Sequence, residues 1–262
     1  MSWYESGFDG MAKEQARQET KYGPQRLYVK AGTSRDLVFV DDTPACIYEH
    51  NPKINGNWRN WMTCLQGVED DVVCCQKLGL DSRYYCGYLT IVDCTSWTDD
   101  KGKTHQYGIK LAQGKMKTLK RWKRKKDDKG ALAGQLYRST REDKMSPSVG
   151  DEWEFQREAD MAKLFEITNY KGKTLPELWG AAEADEAAME RLMRTFSIEP
   201  GEDGKLPRAI PPFNYYELLK PKAPGDLRMM LGAVQAEDND DRSVFSDKPK
   251  QGQSTSEDQV PF

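Results

Sequence analysis

The stretch RYYCGYLTIVDCTSW, residues 83–97, carries the longest strand pattern in the chain, and its reading decides the fold class. Tyr84, Tyr85, Tyr88, Ile91 and Val92 are aromatic or β-branched, the side chains that fit a pleated, half-buried surface. Alternation does not choose the inner face. Tyr84 and Tyr88 share one side with Cys86 and Val92, whereas Tyr85 shares the other with Leu89 and Ile91. The charged, glycine-containing TDDKGK follows as a turn, and HQYGIKLAQ (105–113) reads as the returning strand of a hairpin.

Outward from this hairpin, further strands are expected on both sides. RLYVK (26–30) and DLVFVDD (36–42) are separated by AGTSR, with Gly32 as turn residue, and TPACIYEH (43–50) can carry a third strand. ALAGQLYRST (131–140) and GDEWEFQRE (150–158) are strands joined by the loop REDKMSPSV. MKTLKRWKRKK is expected to be helical, with Met116, Leu119 and Trp122 on one side. Several strands interrupted by one basic helix and one finger-like segment predict a mainly β fold, a closed or partly closed barrel.

Beyond residue 158 the composition turns helical, in ADMAKLFEITN and LPELWGAAEADEAAMERLMRTF. A Pro/Gly-rich loop precedes YYELLKPKAP and DLRMMLGAV, which give a last short helical element. The expected plan is a flexible arm (1–24), a β core (25–158) with a finger at about 46–82, a helical extension (159–234), and a disordered acidic tail (235–262).

Hydrophobic residues make up 37% and charged residues 31% of the 262, which is polar for one globule and agrees with arms and tails outside the core. No run is long and apolar enough for a membrane helix, and the N-terminus lacks an apolar signal core. A cytoplasmic location is therefore expected, where six cysteines read as thiols or metal ligands rather than disulfides. The net charge of −3 hides an asymmetry. Lys115–Lys126 holds eight basic residues and no acid, whereas residues 235–262 hold seven acids and three bases. A basic body with an acidic tail points to a polyanion-binding core and a separate interaction tail.

His50, Cys64, Cys74 and Cys75 lie within 26 residues. Imidazole and thiolate suit zinc, and four such ligands complete a tetrahedral structural site with no open position for catalysis. The adjacent Cys74–Cys75 pair departs from the usual C-x-x-C, and Cys46 is an alternative ligand. Cys86 and Cys94 fall inside the strand pattern and read as small buried hydrophobes.

A second constellation combines rings with bases. Trp58, Arg59 and Trp61 sit in the finger; Arg83, Tyr84, Tyr85 and Tyr88 open the long strand; Trp97 and Tyr107 flank the hairpin turn. Lys103, Lys110, Lys115, Lys117, Lys120 and Arg121 follow closely. Single-stranded nucleic acid needs this combination, because rings stack on bases without reading sequence while cations follow the phosphates. Core packing competes for each ring. Enzyme signatures are missing: there is no phosphate-cradling loop, no dinucleotide fingerprint, and too little histidine for a triad. A non-enzyme is expected.

The stretches RLYVKAGTSRDLVFVDD, CIYEHNPKINGNWRNWMTC, SRYYCGYLTIVDCTSWTDDKG and SPSVGDEWEF, across roughly residues 25–156, resemble the single-stranded DNA-binding proteins of tailed phages. In plan the chain is similar to the helix-destabilising protein of T-even phages. The resemblance implies an OB-fold barrel carrying a zinc finger. It also implies sequence-tolerant, cooperative coating of single-stranded DNA in phage replication, recombination and repair, within the host cytoplasm, with self-association along the strand. His50, Cys64 and Cys74 match the first three zinc ligands. The fourth falls on Lys77, which cannot ligate, and Cys75 is the substitute.

The C-terminal SEDQVPF resembles the acidic tip of bacterial single-stranded DNA-binding proteins, where it docks on replication and repair partners. Phe262 with its carboxylate would anchor, Val260 and Pro261 would lie beside it, and Glu257 and Asp258 would steer. The competing reading is a zinc-finger adaptor or transcriptional regulator on duplex DNA, which needs a base-reading helix. KMKTLKRWKRKK is the only candidate, and its side chains suit phosphates better than base edges.

Overall fold

A computed structural model describes residues 23–54, 56, 58, 61–98, 102 and 104–232. The chain divides into two compact units, one of residues up to Glu49 plus Tyr84–Pro221, the other of His50–Arg83 plus the chain from Lys222.

The first unit is built on β4 (Tyr84–Asp93), the long strand of the central stretch. One edge of β4 pairs along most of its length with β7 (Gly108–Lys115), from Cys86↔Lys115 to Asp93↔Gly108. The other edge is shared. β2 (Ala45–His50) takes its first half and β1 (Thr33–Phe39) its last residues, both antiparallel. The ladder is interrupted where the chain crosses from β1 to β2, and Asp41 fills the gap by accepting the Thr90 N–H at 3.0 Å.

Outside β1 lie β8 (Gln135–Arg141) and β9 (Glu152–Glu158). Beyond β7 lie the two-residue strands β10 (Asn169–Tyr170) and β11 (Lys173–Thr174). A separate small hairpin joins β5 (Trp97–Thr98) to β6 (Thr104–His105) across the expected turn.

The barrel expectation needs correction. The sheet runs β11-β10-β7-β4-β1-β8-β9, and no ladder joins its two ends among the described residues. Helix and strand each make up 31% of those residues, so the fold is mixed rather than mainly β. The physical reason is that the chain after residue 158 covers one face of the sheet. Cys86, Tyr88 and Val92 of β4 pack there with Leu164, Phe165, Trp179, Phe196 and Phe213.

The other face of β4, Leu89 and Ile91, belongs to a second core with Phe39, Trp122, Tyr137 and Trp153. Both faces are therefore inside, which is why alternation could not separate them. RLYVK makes an isolated bridge at Arg26 rather than a strand, although Leu27 and Val29 are buried.

Local chemistry sets the helices. The basic helix α2 (Met116–Lys129) ends at Gly130, whose φ of 81° gives the left-handed cap that glycine adopts without strain. It seats on a glycine pair: Gly87 and Gly114 face each other across β4 and β7. A Cβ at Gly114 would come within 2.7 Å of the Trp122 ring, and one at Gly87 within 2.8 Å of Leu119. Bare backbone thus lets Trp122 sink in, and burial of such a ring contributes about 3 kcal/mol.

The expected long helix after Leu175 is two: α4 (Leu175–Ala184), started by a Thr174/Glu177 capping box, and α5 (Glu186–Thr195). Asp185 separates them because its carboxylate accepts the Ala187 and Ala188 N–H groups as a new cap. α3 (Met161–Ile167) and the short α6 (Tyr215–Leu218) complete this unit.

The second unit holds β3 (Met62–Thr63), α1 (Val73–Leu78), a 3-10 turn at Leu80–Ser82, and α7 (Pro224–Gly232). Ile54, Met62, Leu65 and Val73 pack with Leu227 and Leu231 of α7, and Arg228 pairs with Asp71. Cores this small commonly rely on a covalent or metal staple. Among the described residues no helix is long and apolar enough to cross a membrane.

Candidate functional site

The staple is available where the spacing placed it. His50, the last residue of β2, Cys64 after β3, and Cys74 and Cys75 on α1 bring four donor atoms within 4.8 Å of one another. Cys64 and Cys75 sulfurs are 3.3 Å apart, and Cys75 Sγ is 3.6 Å from His50 Nε2. Tetrahedral zinc with bonds of about 2.3 Å to sulfur and 2.0 Å to nitrogen implies edges of roughly 3.6–3.8 Å. The nitrogen–sulfur edge already matches, and the sulfur pair needs to open by a few tenths of an ångström.

The Leu65 N–H donates to Cys74 Sγ at 3.3 Å, an arrangement that favours a thiolate. His50, Cys64 and Cys74 are buried. Cys46 is not in the cluster; it lies on β2 opposite Gly87 with its thiol exposed.

Electrostatics argue for a cation. Burial pushes the Cys75 thiol up to about 12, reinforced by the hydrogen bond its S–H gives to Cys64 and by the neighbouring sulfurs. Burial likewise raises Cys74. Burial lowers His50, with Arg83 adding to it, so the imidazole is held neutral with a lone pair to give. Three crowded thiols cannot ionise together without positive charge among them, which a divalent metal would supply.

The expected DNA-contacting residues divide. Tyr88 is fully buried, its hydroxyl donating to Glu49 at 2.7 Å, so it cannot stack on a base. Lys110 is buried too, bonded to Asp93 at 2.7 Å, and is not free to meet phosphate. Tyr88 lies on the face that the helices beyond residue 158 cover, a face the strand pattern left open, whereas Lys110 lies on the opposite face with its register partner Ile91 and is held there by Asp93. Tyr84 is half-buried, bonded to Glu49, with Lys115 Nζ 4.4 Å above its ring.

Trp97 stacks on His105 at 4.5 Å, and Tyr107 packs against the core beneath the helices. In the finger Trp58 is 61% exposed, whereas Trp61 and Arg83 are half-buried. Lys117 and Lys120 of α2 are exposed and Arg121 half-buried. Arg59, Lys103, the arm up to residue 22 and the tail with Glu257, Asp258, Val260, Pro261 and Phe262 lie outside the described residues.

One grouping was missed by sequence reasoning. Tyr48 of β2 is 44% exposed and meets Tyr85 edge-on at 5.3 Å, its register partner on β4. Beside this pair runs a groove of about 580 Å³ floored by Pro44, Met116, Leu119 and Leu132, with Lys120, Lys123 and Lys126 along it. Tyr85 and Cys46 also line it. The missed signal was the alternation of β2, in which Cys46 and Tyr48 are exposed and Ile47 and Glu49 turn inward.

No protein-family model matches the chain, and a search of curated proteins finds no significant match.

Proposed function

We propose that this chain is a single-stranded DNA-binding protein of the tailed-phage type, with the zinc-stapled finger as a structural element. The observation that carries it is the pair of exposed Tyr48 and half-buried Tyr85 bordering a groove along which Lys120, Lys123 and Lys126 lie. Rings of this kind stack on unpaired bases at roughly 1–3 kcal/mol each, and the lysines follow the backbone without reading sequence. On the finger, Trp58 is a further exposed ring. α2 buries Thr118 and Trp122 and offers mainly lysine and arginine outward, which suits phosphate contact better than duplex base readout.

In this proposal the role is non-catalytic. The protein coats unpaired DNA in the host cytoplasm during replication, recombination and repair, and it self-associates along the strand. The four-ligand site holds one zinc ion, with His50, Cys64, Cys74 and Cys75 as ligands; a closed set of this kind supports folding. The strand arrangement is an opened relative of the OB plan, and the acidic tail ending in Phe262 recruits partner proteins.

The test is a titration of the full chain with oligo-dT and with a duplex of equal length at two salt concentrations. Tight, salt-sensitive binding that strongly prefers the single strand is expected, with tryptophan emission quenched. Equal affinity for both, or no binding, overturns the proposal.

A further inference from the structure

We propose that Ser82 is the positioning residue that selects Nε2 of His50 as the metal donor; this rests on the metal reading of the four-ligand cluster. Proton counting at the Ser82 hydroxyl fixes the tautomer of the ring. Ser82 Oγ lies 2.8 Å from the Gly79 carbonyl oxygen and 2.8 Å from His50 Nδ1. A carbonyl only accepts, and a hydroxyl has one proton to give. The Ser82 proton is therefore committed to Gly79, and Oγ presents its lone pairs to Nδ1. Nδ1 must carry the N–H. A neutral imidazole protonated at Nδ1 has its free lone pair at Nε2, the nitrogen that faces Cys75 Sγ at 3.6 Å.

The backbone around Ser82 is arranged for this task. Gly79 has φ 82°, a conformation glycine adopts without strain, and its own N–H closes α1 on the Cys75 carbonyl at 2.9 Å. The same glycine thus ends the helix carrying two sulfur ligands and offers the acceptor that orients Ser82. The 3-10 turn Leu80–Ser82 then carries the hydroxyl back to the ring. One nine-residue run, 74–82, supplies two ligands and aims a third that lies 32 residues from Ser82. His50 is fully buried, whereas Ser82 stands beside it at the surface.

Outer partners of metal-bound histidines typically carry about 10- to 100-fold in metal affinity. The test uses the full chain, loaded with Co²⁺ or Zn²⁺, as wild type, Ser82→Ala and Ser82→Thr. Zinc affinity is read by competition with a chromophoric chelator, coordination by the cobalt d–d and thiolate charge-transfer bands, and the His50 tautomer by long-range ¹H–¹⁵N correlation. Wild type is expected to show tetrahedral cobalt bands and Nε2 coordination. Ser82→Ala should lose about 10- to 100-fold in zinc affinity and the fixed tautomer, and Ser82→Thr, which keeps the hydroxyl, should restore both.

Cobalt bands in the wild type, with affinity and tautomer unchanged in Ser82→Ala, overturn the role of Ser82 alone. Nδ1 coordination in the wild type, or a Ser82→Thr variant as impaired as alanine, does so as well. A wild-type chain that takes up neither metal overturns the metal reading, and the role of Ser82 with it.

Discussion

The hydroxyl of Tyr215 donates to a carboxylate oxygen of Asp41 at 2.5 Å, tying the start of α6 to the gap in the ladder between β1 and β2. The other oxygen of Asp41 holds the Thr90 N–H, and Thr90 Oγ1 in turn lies 2.8 Å from Tyr215 Oη. Burial raises the Asp41 carboxyl to about 7, against the lowering pull of the Tyr215 and Thr90 hydrogen bonds. The folded state thus holds this proton more tightly than the unfolded chain. The extra stability is fully present below about pH 4 and is lost as pH rises through about 7. Urea midpoints measured between pH 4 and 8 should show Asp41→Asn gaining on the wild type as pH rises. A difference that does not change with pH contradicts this.

Replacing Cys75 by serine should remove the metal, with an affinity loss beyond the ~10–100-fold expected for an outer partner. Cys46→Ser should leave it in place, because Cys46 stands outside the cluster. Elemental analysis of purified protein is expected to give about one zinc per chain for wild type and Cys46→Ser, and well below that for Cys75→Ser. Zinc retained in Cys75→Ser and lost in Cys46→Ser would reverse the ligand assignment.

Tyr48→Ala and Tyr85→Ala should each weaken oligo-dT binding by roughly 1–3 kcal/mol, since each removes one ring of the pair beside the groove. Tyr88→Phe is the contrast. Its hydroxyl is buried on Glu49, so the change should cost about 1–3 kcal/mol of stability and leave DNA affinity alone. Fluorescence anisotropy and urea unfolding on the three variants separate the roles.

Gly114→Ala should destabilise by about 1–3 kcal/mol, because the new methyl meets the Trp122 ring at 2.7 Å. Near-ultraviolet circular dichroism reports the ring directly, and an unperturbed tryptophan signal would contradict close seating of α2.

The strands, the basic helix and the four-ligand set were legible because each is local: period, capping and spacing are written into neighbouring residues. Which face of β4 lies inside was not, since Tyr88 is buried by Phe196 and Phe213, more than a hundred residues away. The same distance hid the opening of the barrel. Tyr85 was readable as a ring but not as half of a pair, because Tyr48 joins it only through the β2–β4 register. Asp185 could have been read as a break in the long helix, as a carboxylate followed two and three residues later by the N–H groups it caps.

β2 carries three unlike duties on three successive residues. Tyr48 is the exposed ring, Glu49 is the buried acceptor shared by Arg26, Tyr84, Tyr88 and Gln113, and His50 joins the four-donor cluster. Sliding the strand by one residue reverses every side chain on it. A single inserted or deleted codon between Ala45 and His50 would therefore act as three lesions at once. A change of length in this short stretch is expected to do more damage than the replacement of any one residue in it.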